Sequence, residues 1–316
     1  SALGLSYRFL KSRRTDRSEQ APLAAAEPAP EPEPEKITLK DLSAPAPYEV
    51  QFAESDGLRI AYAVQGEGPQ DMLVTPGIIS HLNIMSHMPP IRDTVAAFSE
   101  FARVATFDKR GQGLSDTCAN LPGMTERVHD IEAVLDAAGM DRIILYGVSE
   151  GGPMCIQFAH DHPERVKGLV LLGTAARWLQ SEDYPTGIEE RALDSMSQAW
   201  GKGTLRDLFF PSISRERMDD HTYRGFEQLI ATRGSIRQLT DFMKQTDVTA
   251  LLPDIQMPTL IIHFAGDLAV PTRLGRVVAE GIPGAQFLEV PGVDHADLSQ
   301  SNEALVRVRQ FAQALA

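Results

Sequence analysis

The sequence predicts an α/β fold, with a mostly parallel sheet, helices on both faces of that sheet, and a helical cap. From about residue 48 onward, short apolar runs typical of strands buried on both faces alternate with helical segments. Such alternation favours parallel strands joined by right-handed crossovers. Residues 173–250 interrupt the alternation with short helical patterns and no clear strand, which indicates an insertion over the strand ends.

The predicted strands and helices follow one another in regular order. Strands are expected at residues 48–55, 58–64, 72–75, 103–108, 143–146, 166–172, 259–264 and 286–290. Helices are expected at residues 90–101, 125–138, in the segment after 151, and at 272–280 and 301–315. Asp56-Gly57 separates the first two strands and is a strong signal for a hairpin at one edge of the sheet. Thr125 is expected to cap its helix and Gly139 to end it.

The same patterns divide the chain into regions. These are an N-terminal arm and linker at 1–47, a core at 48–172 and 251–316, and a cap at 173–250. Residues 21–35, APLAAAEPAPEPEPE, cannot build a core and favour an extended linker. Residues 3–10 are mildly apolar and precede basic residues, which fits the end of a removed anchor or signal and fits a disordered tail equally well. We expect these apolar residues to dock onto a second copy of the chain, giving a homo-oligomer.

Composition narrows the classes of function. The net charge of −13 argues against nucleic acid as a partner, because phosphate binding needs clustered Lys and Arg. No apolar run is long enough to suggest a membrane span. Cys118 and Cys155 are too few for a disulfide framework, which favours a reducing, cytoplasmic setting, and Cys155 is expected to be a packing residue. His81 and His87 have no matching cluster of acidic or histidine residues, so neither a metal nor a cofactor is expected.

A serine stands in the turn Gly147-Val148-Ser149-Glu150-Gly151, between a buried strand and a helix. So sharp a turn strains the serine backbone, and the two glycines let neighbouring chain approach closely. The turn lifts Ser149 Oγ clear of the sheet, and the helix N-terminus supplies a free N–H and positive potential. The stretch resembles the nucleophile elbow of α/β-hydrolases.

A serine nucleophile needs a base, and the base needs a third group that orients it. In the α/β-hydrolase order both follow the serine on later strand ends. His295 lies in the turn after the last strand and is the expected base. The other histidines after Ser149 fit structural positions, and they are His160, His162, His221 and His263, the last inside a buried strand.

Three aspartates compete for the orienting role. Asp267 closes the strand at 259–264 and is the expected acid, because it would lie one strand away from the His295 turn. Asp294 adjoins His295 and is the rival, although neighbouring residues rarely direct their side chains at each other. Asp297 is a third and weaker alternative.

The tetrahedral intermediate also needs hydrogen-bond donors for its oxyanion. One is expected from the backbone N–H of Glu150, and the other from Ile78, in the loop after the strand at 72–75. An unpaired carboxylate on Glu150 would oppose the oxyanion if it pointed into the pocket. We therefore hypothesise that Glu150 turns away and pairs with Lys109 or Arg110.

Several motifs together resemble the α/β-hydrolase superfamily. They are Pro76-Gly77, FDKRGQGLSD at 107–116, GVSEGGP at 147–153, Gly266-Asp267 and GVDH at 292–295. In detail they resemble the branch often fused to adenylate cyclases or LuxR-type regulators, as do Ala199-Trp200-Gly201 and Phe210-Pro211-Ser212. The resemblance covers residues 48–316 and implies cofactor-free Ser-His-Asp hydrolysis, typically of carboxylic esters.

We expect a serine hydrolase that cleaves a small-molecule carboxylic ester through an acyl-enzyme on Ser149. A lactone, an amide or a carbon–carbon bond is an alternative target for the same triad. A slow-turnover ligand-sensing module is a second alternative. Six side chains are expected either to line an apolar acyl pocket or to pack the cap, and they are Met85, Met88, Trp178, Trp200, Phe209 and Phe210.

Overall fold

The computed structural model of the chain describes residues 36–118 and 120–316. The linker predicted at 21–35, and the arm predicted to dock onto a second copy through residues 3–10, lie outside these residues. In the part that is described, no helix combines the length and the hydropathy needed to cross a membrane.

The described residues form one eight-stranded sheet. Its strands are β1 (Gln51–Ser55), β2 (Leu58–Gln65), β3 (Gln70–Thr75), β4 (Ala102–Phe107), β5 (Ile143–Val148), β6 (Val166–Leu172), β7 (Thr259–Phe264) and β8 (Gln286–Val290). Their order across the sheet is β1-β2-β4-β3-β5-β6-β7-β8. β2 pairs antiparallel with β1 and β4, and the other neighbouring strands are parallel. The predicted mostly parallel α/β fold is confirmed.

Helices cover both faces of this sheet. The α-helices of the described residues are α1 (Leu39–Leu42), α2 (Leu82–Met85), α3 (Pro89–Ser99), α4 (Met124–Ala137), α5 (Gly151–Asp161), α6 (Glu190–Ala199), α7 (Arg206–Phe209), α8 (Asp220–Ile230), α9 (Arg233–Gln245), α10 (Thr272–Gly281) and α11 (Asn302–Ala314). One apolar core joins the sheet to α4, α5 and α10, and another joins it to α3 and α11. The central strands are buried on both sides, which explains why they appear in the sequence as continuous apolar runs.

The predicted hairpin of β1 and β2 forms one side edge of the sheet. Asp56 and Gly57 have φ angles of 50° and 78°, and Ser55 pairs with Leu58 across the turn. Two positive φ angles in a two-residue loop match the twist of the flanking strands, which is why Asp-Gly is favoured there. The turn therefore fixes the register of β1 on β2.

The start of α4 differs from the prediction. The helix begins at Met124, and its N-cap is Gly123, which is extended and makes no side-chain cap bond. Thr125 is the second residue of the helix, so its predicted capping role is wrong. Pro122 and Gly123 interrupt regular structure just before the helix, and this effect outweighs the preference of threonine for the N-cap position. The helix ends at Ala137 with Ala138 as its C-cap, one residue earlier than predicted. Gly139 follows the cap with a φ of 61°, the left-handed conformation in which helices commonly end.

Residues 36–47 belong with the packed structure, although their sequence pattern assigned them to the N-terminal arm. Thr38 and Asp41 form a capping box at the start of α1. Ile37 and Leu42 flank that box at the positions of a hydrophobic staple, and both are buried. α1 packs against α8, so the buried apolar pair ties this segment down. The predicted boundary at residue 47 is therefore too late.

Between β6 and β7 the chain forms α6, α7, α8 and α9. Their apolar side chains share one buried cluster with residues of the loop after β3, including Ile78, Ile84 and Met88. Trp200 Nε1 donates to the Glu227 carbonyl at 2.9 Å and so fastens the end of α6 to α8. These contacts bring the 173–250 segment to the edge of the sheet where the parallel strands end.

Candidate active site

Ser149 lies in the turn between β5 and α5. Its φ is 51°, in the left-handed region that residues with a side chain seldom adopt. The Ser149 N–H donates to Leu172 O at 2.9 Å, and its carbonyl accepts from Thr174 Oγ1 at 2.6 Å. The end of β6 therefore holds the serine in a conformation that costs free energy on its own.

The glycines on either side of Ser149 are required by close approaches. A Cβ on Gly147 would lie 2.7 Å from Cys155 Sγ, and a Cβ on Gly151 would lie 2.5 Å from the Pro76 carbonyl oxygen. Neither distance leaves room for a side chain. The turn is thus packed tightly against the Cys155 side chain of its own helix and against the backbone of the loop after β3.

His295 and Asp267 form a buried pair. His295 Nδ1 lies 2.8 Å from Asp267 Oδ2, and the side chains are 4% and 0% exposed. An ionised carboxylate can only accept, so Nδ1 carries the proton and Nε2 is left as an acceptor. Within residues 36–118 and 120–316, the buried Nε2 has no hydrogen-bond partner. The imidazole therefore has a free basic nitrogen.

The second oxygen of Asp267 fixes the orientation of the carboxylate. Asp267 Oδ1 accepts from the backbone N–H groups of Ala269 and Val270, each at 2.9 Å. A carboxylate held by two backbone donors cannot rotate without losing them. Oδ2 is consequently aimed at the histidine.

The two rival aspartates serve other contacts. Asp294 accepts from Ser212 N at 2.9 Å and from Gln300 Nε2 at 2.6 Å, and so joins the 173–250 segment to the core. Asp297 caps the following turn by accepting from Ser299 N at 3.1 Å, and burial raises the pKa of its carboxyl group. The hydrogen bonds of the described residues give neither of them a contact with the His295 ring.

Two other residues have the structural roles expected from their positions. His263 lies in β7 and is fully buried, with Nε2 donating to Val270 O at 2.7 Å. Burial lowers the pKa of His263 below its usual value. Cys155 is buried in α5, and burial raises the pKa of its thiol to about 12, so the reactive thiolate is suppressed.

The two expected oxyanion donors lie beside the serine. Glu150 is the N-cap of α5, so its N–H precedes the helical hydrogen bonds and has no partner within the helix. A Cβ on Gly77 would lie 3.2 Å from Ser149 Cβ and 3.7 Å from Ser149 Oγ, so the backbone at Gly77, directly before Ile78, lies against Ser149. Ile78 also lines both cavities that contain Ser149.

The Glu150 side chain turns away from these cavities. Its carboxylate is 2% exposed and pairs with Lys109 Nζ at 2.5 Å and with Arg127 Nη1 at 2.8 Å. The predicted pairing with Lys109 is confirmed. Arg110 is not a partner, because its guanidinium group pairs with Asp130 at 2.6 Å. Arg127 belongs to α4, and no local motif in the sequence pointed to it.

Two cavities meet at Ser149 and His295. The first has a volume of about 170 Å³ and mostly apolar walls, built from α3, the loop after β3 and the 173–250 segment. The second has a volume of about 480 Å³ and a more polar lining. Phe209 lines both, and its ring centroid lies 5.8 Å from that of His295. Ser149 and His295 are therefore shared between the two cavities.

The aromatic and methionine residues singled out in the sequence divide between these spaces. Met85, Trp200, Phe209 and Phe210 line the first cavity. Trp178 lines the second, whereas Met88 is fully buried in the surrounding apolar cluster. Ile91 and Val95 also line the first cavity from one face of α3, and no sequence motif pointed to them.

Residues 73–299 match the family described as serine aminopeptidase, S33 (Hydrolase_4). This match spans most of the chain, including the elbow, Asp267 and His295. The chain belongs to this family of α/β-hydrolases. The family assignment establishes a hydrolase fold and leaves the substrate open.

Individual relatives of this hydrolase differ in the activities that their names state. A protein of Mycobacterium tuberculosis that carries the name of a non-heme bromoperoxidase, BpoC, is 28% identical over 211 residues, which are 64% of this chain and 79% of the relative. The pimeloyl-acyl-carrier-protein methyl ester esterase of Neisseria meningitidis is 27% identical over 196 residues, 59% of this chain and 77% of the relative. The solved structure of an esterase from Exiguobacterium antarcticum has a TM-score of 0.68 at 22% identity, over 84% of this chain and 98% of that one.

Proposed function

We propose that this hydrolase cleaves a carboxylic ester through an acyl-enzyme on Ser149. The observation that carries the proposal is the buried His295–Asp267 pair at 2.8 Å: its Nε2 has no hydrogen-bond partner among the described residues, and His295 and Ser149 line the same two cavities. A serine hydroxyl becomes a nucleophile only with such a base beside it. The strained elbow and the apolar first cavity support the same reaction.

Acylation begins when Ser149 Oγ attacks the ester carbonyl carbon and its proton moves to His295 Nε2. The imidazolium that forms keeps its Nδ1–H on Asp267, whose negative charge stabilises it. The carbonyl oxygen becomes an oxyanion and accepts from the N–H groups of Ile78 and Glu150. When the intermediate collapses, the bond to the alkoxy oxygen breaks, and His295 returns the proton to the departing alcohol.

Deacylation repeats these steps with water as the nucleophile. His295 Nε2 takes a proton from water as its oxygen attacks the acyl carbon. The second tetrahedral intermediate breaks the bond to Ser149 Oγ, which recovers a proton from His295. The products are one carboxylic acid and one alcohol, and the protein returns to its starting state without a cofactor.

The cavities favour an ester with an apolar acyl group. The first cavity is close in volume to the apolar cavity of about 150 Å³ that can hold benzene, so a short aliphatic or small aromatic acyl chain fits it. The lining of the second cavity is more polar than that of the first, which suits the alcohol portion. The methyl ester esterase among the relatives supports an ester substrate.

The proposal is tested with the purified full chain on p-nitrophenyl esters of increasing acyl length, beside a lactone and an anilide. Ser149→Ala should abolish ester turnover while leaving the thermal melting curve unchanged. A fluorophosphonate probe should label the wild type at Ser149 and should not label the variant.

The outcomes separate the alternatives. A higher kcat/KM on the lactone or the anilide than on the esters would indicate that the substrate is a lactone or an amide, cleaved by the same triad. Tight binding of an ester with a single turnover would support the ligand-sensing module. Full activity of Ser149→Ala, or labelling at another residue, would overturn the proposed mechanism.

A further inference from the structure

A buried cluster of three charges lies behind the oxyanion donors. Lys109, Arg127 and Glu150 are each 2% exposed and come from the loop after β4, from α4 and from the N-cap of α5. Burying charges is costly unless they are paired and hydrogen-bonded, so a cluster of this kind needs an explanation. Pairing with Arg127 alone would already neutralise Glu150.

Lys109 makes a second contact that Arg127 does not make. Its Nζ donates to the Gly77 carbonyl oxygen as well as to Glu150 Oε2. The Gly77 carbonyl and the Ile78 N–H belong to the same peptide group. One ammonium group therefore contacts the peptide that carries one proposed oxyanion donor and the side chain of the residue that carries the other.

The strand order explains how a single side chain reaches both. Lys109, Gly77 and Glu150 follow β4, β3 and β5, which are adjacent parallel strands with β3 in the middle. Neighbouring strands lie about 4.8 Å apart. The extended side chain of Lys109 can therefore cross the end of β3 and reach Glu150 at the start of α5. Lys109 also anchors its own backbone, because its N–H donates to Ser80 Oγ at 3.0 Å.

We infer that Lys109 is a positioning residue that holds and polarises the oxyanion hole. This inference rests on the proposed acyl-transfer function. An ammonium group on the Gly77 carbonyl strengthens the Ile78 N–H as a donor, because hydrogen bonds along a peptide group reinforce one another. The same ammonium fixes Glu150 and so the start of α5.

The Lys109 ammonium group also stabilises the oxyanion by its own charge. It is buried and contacts the Gly77 peptide itself, whereas the Arg127 guanidinium group contacts the other carboxylate oxygen of Glu150. Fixed positive charge near developing negative charge stabilises the transition state more than the uncharged ester. Lys109 should therefore affect kcat far more than KM.

The chain offers a matched pair of variants for the test. Lys109→Met and Arg127→Met each remove one cation from Glu150 and leave the other in place. Only Lys109→Met also removes the contact with the Gly77 carbonyl. We expect Lys109→Met to lower kcat by about 10- to 100-fold with KM nearly unchanged, since losing a whole oxyanion donor costs about 10²- to 10³-fold.

Arg127→Met should have a much smaller effect on kcat, although it also removes the contact of the guanidinium group with the Phe242 ring, 4.1 Å away. A trifluoromethyl ketone provides the second readout, because its adduct with Ser149 is tetrahedral and anionic. Its affinity should fall across the variants in parallel with kcat/KM. Circular dichroism and thermal melting establish that each variant is folded.

A third variant carries the test if Lys109→Met fails to fold. Burial lowers the pKa of the Lys109 ammonium below its usual value of 10.5, while the adjacent Glu150 carboxylate raises it and Arg127 lowers it. Arginine keeps its charge at any accessible pH. The wild type should therefore lose kcat at alkaline pH through loss of this proton, and Lys109→Arg should keep its kcat over the same range.

Equal losses of kcat in Lys109→Met and Arg127→Met would overturn the inference, because both would then act only through Glu150. Ketone affinity that stays constant while kcat falls would also overturn it. The inference would likewise be overturned if kcat fell equally at alkaline pH in the wild type and in Lys109→Arg. The proposed function fails separately, if wild-type ester turnover does not depend on Ser149.

Discussion

At the scale of single residues, Asp267 and Asp294 show how position decides the role of a carboxylate. Both are buried. Asp267 lies beside His295 in space, and Asp294 directly precedes it in sequence. Asp267 has two backbone N–H groups on one oxygen and His295 on the other. Asp294 is occupied by Ser212 and Gln300. The first can orient a base, and the second ties two parts of the chain together.

This difference predicts that replacing each aspartate by asparagine affects a different property, kcat for Asp267 and the melting temperature for Asp294. In Asp267→Asn the amide oxygen should stay on the Ala269 and Val270 N–H groups, so the NH₂ group faces His295 Nδ1. Nδ1 must then accept a hydrogen bond, so the ring proton moves to Nε2. A protonated Nε2 cannot take the proton of Ser149. We expect kcat to fall by about 10³- to 10⁴-fold, as a wrong imidazole tautomer does in serine proteases.

Asp294→Asn is the control for that substitution. It weakens the hydrogen bonds to Ser212 and Gln300, so the melting temperature should fall while kcat changes little. Steady-state kinetics and thermal melting on both variants measure the two effects. The reverse ranking of the kcat values would transfer the orienting role to Asp294.

At the scale of elements, α7 and the residues after it set the walls of the site. Phe209 lies at the end of α7, lines both cavities and accepts the His295 N–H on its backbone oxygen at 2.9 Å. Leu208, one residue earlier, lines only the second cavity. The Phe209 ring is therefore placed to limit the space available to an acyl chain near the serine.

Phe209→Ala should shift the preference toward longer acyl chains. The backbone bond to His295 is kept, and the removed ring opens the first cavity toward the second. We expect the ratio of kcat/KM for the octanoate ester to that for the acetate ester to rise by about tenfold, since each buried methylene contributes about 0.8 kcal/mol. Leu208→Ala is the matched control and should leave this ratio unchanged. An unchanged ratio in Phe209→Ala would show that the ring does not limit the acyl chain.

At the scale of the whole molecule, the proposed site gathers residues from distant parts of the chain. Its groups follow β3, β4, β5, β7 and β8, whose parallel ends meet at one edge of the sheet. α1 packs against α8, so the packed structure begins well before the first strand. Every residue proposed for catalysis lies within residues 36–316.

Removal of residues 1–35 should therefore leave ester turnover per site and the melting temperature unchanged. The homo-oligomer expected from the apolar residues at 3–10 stays a prediction, and the same variant tests it. If that arm joins two copies, the mass measured by light scattering should fall to that of a single chain. An unchanged mass would assign the arm no part in assembly.

The sequence by itself determined the features that local patterns encode. Apolar periodicity and turn residues predicted the sheet and its edge hairpin, and they gave the limits of α3, α4, α10 and α11 to within two residues. β6, β7 and β8 have the predicted bounds. Gly147 to Gly151, Asp267 and His295 could be proposed as site residues because they stand at or just after strand ends, which a parallel sheet brings together. The segment Ile37 to Leu42 carried a local signal as well, a capping box with its staple, which the preceding linker obscured.

Only the tertiary structure decided which side chains meet behind the site. Lys109 and Arg110 are neighbours in sequence, yet one reaches Glu150 and Gly77 and the other reaches Asp130. Arg127 lies in α4, 23 residues before Glu150 in the chain, and reaches its carboxylate from there. Such partners depend on the order of strands in the sheet and on the face that each helix turns toward it. Residue spacing along the chain does not encode either, because packing over long separations sets both.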